Sequence, residues 1–203
     1  VSSADASYRR ILSITWPMIV SSSTTPLLGL VDTAVIGNLG SAAYLGAIAL
    51  GALLMNFIFW GFGFLRMGTT GFTAQAMGAT DDAEIRASLW RGGLLGLGLG
   101  CVLILLQWPM GLAAFALLSG SAEVESLAKT YFHIRIWGAP SALILYVMTG
   151  WFIGLQNPKY ALYLQLFLNG LNIFLDILFV TGFGWGVAGV AFGTMIAETV
   201  TVV

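Results

Sequence analysis

The sequence predicts an all-α polytopic membrane protein, a bundle of six transmembrane helices occupying residues 1–203 as one unit. Apolar residues make up 58% of the 203, charged residues only 8%, and mean hydropathy is +0.91. Soluble domains carry about 25% charged residues, and so little charge cannot cover a surface that faces water. The apolar residues also fall in long segments, and a helix that crosses a bilayer needs about 20 of them in succession.

The first segment runs over 11–36, after Tyr8-Arg9-Arg10, and ends at the turn Gly37-Asn38-Leu39-Gly40-Ser41. The second covers 43–77: an apolar stretch to Arg66, then a more polar extension through Thr69, Thr70, Thr73 and Gln75. The most hydrophilic loop follows, from Gly78 to Glu84. The third segment spans 86–118 and the fourth 124–156, separated by Ser119 to Glu123. Both exceed a bilayer's thickness and are expected to tilt or protrude. Asn157-Pro158-Lys159 make a tight turn into the fifth segment, 160–181; a Gly-rich turn leads to the sixth, 187–203, still apolar at Val203. With Val at one end and an apolar segment at the other, the chain is expected to be a piece of something longer.

Orientation follows from basic residues in short loops. Arg9, Arg10, Arg86, Arg91 and Lys159 lie at one side, whereas the opposite turns, 37–42, 119–122 and 182–186, carry none. The amino terminus is therefore expected in the cytoplasm. No signal peptide is expected, because the opening residues are polar and the first apolar segment is far longer than a signal h-region.

Pro17 and Pro26 lie inside the first segment, where each removes an intrahelical hydrogen bond and makes the helix a conformational hinge. Gly92, Gly96 and Gly100, spaced by four, form a ridge of the kind used for close helix packing. The single Cys101 excludes a disulfide within the chain and is expected to pack as a small hydrophobe.

Chemistry is expected at the acids within the apolar segments. A carboxylate at the centre of a membrane helix costs about 2.5 to 3.5 kcal/mol on insertion scales and usually faces a bundle interior or an aqueous cavity. Asp32 and Asp176 are such acids. At 1.5 Å per residue, both lie roughly 8–9 Å from the outer ends of their helices. Asn172 is one turn from Asp176 on the same face. Thr194, in the sixth segment, reaches roughly 10 Å depth by the same arithmetic. Glu198, one turn further, either joins them or faces cytoplasmic water. Two carboxylates close together in low dielectric cannot both stay ionised comfortably, so such a pair takes up and releases a proton. The same oxygens suit sodium, as hard ligands suit calcium. The competing reading makes Asn172 and Thr194 polar glue between helices.

Two stretches carry a resemblance: Pro26-Leu27-Leu28-Gly29-Leu30-Val31-Asp32-Thr33-Ala34-Val35-Ile36-Gly37, and Arg66-Met67-Gly68-Thr69-Thr70-Gly71-Phe72-Thr73-Ala74-Gln75-Ala76-Met77-Gly78-Ala79. Gly154-Leu155-Gln156-Asn157, Asn169-Gly170-Leu171-Asn172-Ile173-Phe174-Leu175-Asp176 and Gly186-Val187-Ala188-Gly189-Val190-Ala191 extend it. These resemble the DinF branch of the multidrug and toxic compound extrusion (MATE) transporters, which have twelve helices in two lobes. The resemblance implies the amino-terminal lobe, a multi-pass protein of a bacterial inner membrane. Its implied partners are the carboxy-terminal lobe, the lipid bilayer and amphipathic, often cationic small molecules. It further implies antiport without a cofactor, coupled to protons or sodium. Asp32 would take the coupling ion, Asn172, Asp176 and Thr194 would complete the network, and the first helix would bend at Pro17. Where some relatives carry Tyr one turn before the first-helix acid, this chain has Leu28, which favours protons.

Other classes find less support. Phe174-Leu175 before Asp176 departs from the Gly-x-Gly-Asp of intramembrane aspartyl proteases. No Gly-Lys pair supplies a phosphate loop. His133, the one histidine, cannot make a zinc-protease pair and is expected to be packed or interfacial. No basic run suggests nucleic acid. A lipid-linked oligosaccharide flippase of similar fold would be expected to line its cavity with basic residues, and no membrane-buried Arg or Lys cluster is apparent. A passive channel would need a filter-like motif.

Overall fold

The computed structural model describes residues 15–16, 19, 37, 42–117 and 120–203. Asp32, Pro17 and Pro26 lie outside the described residues. Helix α1 is Ala42–Trp60, α2 Phe64–Gly78, α3 Asp82–Leu105 and α4 Gln107–Leu117. Helix α5 is Ala122–Arg135, α6 Ala139–Gly154, α7 Pro158–Asp176 and α8 Gly186–Val202. No strand occurs among the described residues. Four helical stretches are long and apolar enough to cross a membrane: Ala42–Gly78, Asp82–Leu105, Ala122–Gly154 and Pro158–Gly182; Gly186–Val202 is a shorter apolar helix. The protein is all-α and polytopic.

Three of the expected segments are broken, each for a local reason. The second, expected over 43–77, turns at 61–63 between α1 and α2, where Gly61 and Gly63 flank Phe62. The third, expected over 86–118, begins earlier, at Asp82, and divides at Leu106. Pro109 has no N–H for the carbonyl of Leu105, so the helix restarts as α4. The fourth, expected over 124–156, tightens into a 3₁₀ turn, Ile136–Gly138, just ahead of Pro140. A proline disfavours the carbonyl four residues before it, here that of Ile136. The fifth runs from Pro158 and ends in a wider π-helical turn, Ile177–Gly182. The hydrophilic loop is shorter than expected, because Asp81 caps α3 by accepting the N–H of Glu84 at 3.0 Å.

Helix α6 lies at the centre of one half, packed on α3 and α2; α8 lies at the centre of the other, packed on α7 and α5. The core is filled by Phe132, Ile136, Leu143, Val147, Val180 and Val190, all fully buried. Gly96 and Gly100 let α3 approach the backbone of α6: a Cβ at Gly96 would sit 3.3 Å from the carbonyl of Leu143, and one at Gly100 would overlap Pro140. Gly92 meets Val147 and Thr69. Outward, Phe57, Trp60, Leu105 and Leu117 are 75–86% exposed, which fits side chains facing lipid. Cys101 is on this outer surface and not in the core.

Candidate functional site

Helix α7 carries a polar stripe through an apolar bundle. Gln165, Asn169, Asn172 and Asp176 follow one another at spacings of four, three and four, which places them on one face of a helix. That face turns inward: Asn169 is 6% exposed, and Asn172 and Asp176 are wholly buried. Gln165 Nε2 donates to Asn169 Oδ1 at 2.9 Å, and Asn172 Nδ2 donates across to Thr194 Oγ1 on α8 at 3.1 Å. The Thr194 hydroxyl in turn donates to the carbonyl of Val190 at 3.0 Å. Threonine is thereby fixed as an acceptor toward Asn172.

Asp176 meets α8 where that helix has no side chain. A Cβ at Gly193 would overlap Asp176 Oδ1 and lie 3.2 Å from Cγ. Gly189, one turn earlier, backs in the same way onto Phe179 and Val180. The glycines of α8 therefore determine how closely the sixth span approaches the acid. Asp176 is also the last residue of α7 before the π-helical turn, in which Thr181 Oγ1 donates to the carbonyl of Ile177 at 2.5 Å. Such single π turns are frequent at functional sites, because they re-aim side chains within a helix.

Of the residues expected to form the ion-coupling network, Asn172, Asp176 and Thr194 come together at the α7–α8 contact. Asp32 lies outside the described residues, as do the hinge positions Pro17 and Pro26. Among the described residues no group of three or more His, Cys, Asp or Glu is arranged for a metal. Glu198 neither joins this network nor faces water. It is 9% exposed and accepts both terminal nitrogens of Arg135, Nη1 at 2.8 Å and Nη2 at 3.0 Å.

Arg135, Asn169 and Gln165 are the residues that sequence reasoning missed. Asn169 and Gln165 were signalled by the repeat of four and three along α7. Arg135 was signalled by depth. It is about 20 Å along α5 from Ala122, and Glu198 about 18 Å along α8 from Gly186, so opposite charges descend to one level. His133 is half-buried at the edge of the bundle, its ring 4.8 Å from that of Trp108.

Residues 17–178 match the MatE family model. Over 185 residues the chain is 44% identical to the DNA damage-inducible protein F of Escherichia coli (strain K12), covering 91% of this chain and 40% of that protein. Its fold is similar to that of a multidrug resistance MATE family transporter of the MOP superfamily in an outward-facing conformation. That likeness has a TM-score of 0.85 at 27% identity and covers 95% of this chain and 43% of the other. A MATE in a bent conformation is similar too, with a TM-score of 0.82 at 26% identity over 96% of this chain and 43% of that one. The chain thus spans well under half the length of these relatives. With its polytopic helical fold and four-fifths of its length inside the family match, this chain belongs to the MatE family.

Proposed function

We propose that this chain is the amino-terminal lobe of an efflux transporter that exports amphipathic, often cationic compounds by alternating access, in exchange for protons. The observation that supports this best is the α7–α8 network. A wholly buried carboxylate, Asp176, lies beside Asn172 and Thr194, which bond across the helices, inside an otherwise apolar bundle. Membrane acids in such positions are rare and mark ion pathways. Asp32, from the first segment, supplies the second carboxylate, and its protonation loosens the first helix and lets it bend at Pro17, shrinking the substrate cavity. The ion works only through its different affinity for the two conformations.

The remaining parts follow from this reading. The carboxy-terminal lobe completes the cavity, and the lipid bilayer is that of a bacterial inner membrane. Arg86 and Lys159 are exposed, and basic residues in short loops favour the cytoplasmic side, which supports a cytoplasmic amino terminus. No reaction chemistry is assigned to the chain, and no cofactor beyond the coupling ion. The buried cation Arg135 is neutralised by Glu198, which leaves it unsuited to hold the pyrophosphate of a lipid-linked oligosaccharide.

Sodium in place of protons is a second reading through the same residues. Asn172 Oδ1 is buried with no hydrogen-bond partner among the described residues, and a hard carbonyl oxygen beside a carboxylate and a hydroxyl suits sodium. The experiment is efflux by the full-length protein in proteoliposomes under separate proton and sodium gradients. Efflux driven by the proton gradient alone is expected. Efflux with sodium alone would transfer the network to the second reading, and uncoupled leakage would end both.

A further inference from the structure

Glu198 follows Thr194 by four residues on α8 and therefore lies one turn deeper on nearly the same face. Its contact with Arg135 uses both carboxylate oxygens and both terminal guanidinium nitrogens. A paired fork of this kind fixes orientation as well as distance, so α8 can neither slide along nor rotate against α5 without breaking it. Arg135 is the last residue of α5, immediately before the 3₁₀ turn that Pro140 imposes on the fourth span. That turn closes over the pair: a Cβ at Gly138 would lie 3.0 Å from Glu198 Oε2 and 3.1 Å from Arg135 Nη1. The Phe59 ring of α1 lies 6.0 Å from the guanidinium carbon.

Stability does not account for such an arrangement. Buried ion pairs recover little beyond their desolvation cost, and well-packed apolar replacements are often neutral or stabilising; the better-attested use is to specify a register. We propose that Arg135 and Glu198 are positioning residues. The pair sets the register of α8 against the break in the fourth span, and so holds the Thr194 hydroxyl opposite Asn172. This rests on the reading of Asn172, Asp176 and Thr194 as the coupling network.

The test reconstitutes the full-length protein as wild type, as Arg135→Met/Glu198→Met and as Asp176→Asn. Proton-driven efflux of a fluorescent cation is read against external pH, with melting temperature alongside. The methionine pair is expected to melt at or above the wild-type temperature, to export about tenfold more slowly, and to shift the pH of half-maximal efflux while leaving the substrate KM in place. A wild-type rate and pH profile in that variant, with Asp176→Asn inactive, overturns the positioning role alone. Wild-type, proton-dependent efflux by Asp176→Asn overturns the network reading itself. If the methionine pair melts early, the reversed pair Arg135→Glu/Glu198→Arg decides. Efflux above that of either single variant supports positioning, and a folded protein with no such recovery overturns it.

Discussion

Asp176 and Gly193 face each other across the α7–α8 contact so closely that position 193 has no room for a methyl group. The acid's place in the bundle thus depends on an absent side chain one helix away. Gly193→Ala is expected to force the carboxylate or the whole of α8 outward, with a cost of about 1–3 kcal/mol as overpacking in a tight core. Gly170→Ala is the comparison, because Gly170 on α7 has open space around it. There the change is expected to be neutral or to stabilise by roughly 0.5–1 kcal/mol through lost backbone freedom in the unfolded chain. Thermal unfolding in detergent, with efflux by the full-length protein, separates the two. Equal melting temperatures would remove the close contact from consideration.

The bond between Asn172 and Thr194 makes a narrower prediction. Thr194→Val keeps the shape and removes the acceptor, stranding a buried amide; Asn172→Leu does the converse. Interhelical hydrogen bonds in membranes average about 0.6 kcal/mol in double-mutant cycles, with a maximum near 1.7. A coupling energy in that range is expected for this pair from a cycle of Asn172→Leu and Thr194→Val in unfolding titrations. A cycle that closes to zero would mean the two side chains do not meet. Efflux is expected to fall far more than stability does, which would distinguish a functional contact from glue.

Much of this site was legible before any coordinates. Hydropathy located the described spans, and rise per residue brought Asp176, Asn172 and Thr194 to within about one turn of the same depth, because a straight helix converts numbering into height. Where helices are not straight the arithmetic gave no warning. Pro109 and Pro140 break the third and fourth spans through the same missing N–H that the sequence predicts to weaken the first at Pro17 and Pro26. The π-helical turn after Asp176 has no residue type that demands it, since Ile177 to Gly182 reads as ordinary apolar helix. Glu198 was legible as a membrane acid but its partner was not: Arg135 lies 63 residues away on α5, and nothing in the local sequence of either residue points to the other. Cys101, expected to pack as a small hydrophobe, lies on the outward face of α3, because apolarity alone does not tell a lipid-facing position from a core one.

The glycine ridge of α3 supports a prediction about packing alone. Gly100 abuts the backbone of Pro140 and Ala139, whereas Gly98, on the opposite face, has nothing near it. Backbone cannot yield as a flexible side chain can. Gly100→Leu is therefore expected to separate α3 from α6 and to lower expression and melting temperature sharply, while Gly98→Leu faces lipid and is tolerated. Comparable folding of both variants would contradict the close approach of the two helices.

Removing one half of a buried ion pair should be far worse than removing both. Arg135→Met leaves Glu198 uncompensated in the bundle, and losses of about 3–5 kcal/mol are typical when one partner of a buried pair is deleted. Adding Glu198→Met takes away the stranded charge, and the second substitution is expected to restore most of what the first removed. The same asymmetry applies in reverse, since Glu198→Met strands a guanidinium that remains charged at any accessible pH. Chemical unfolding of the four proteins in one detergent gives the comparison. The two single changes adding without recovery would mean that Arg135 and Glu198 are each satisfied by other groups. The 2.8 and 3.0 Å contacts between them would then be incidental to the fold.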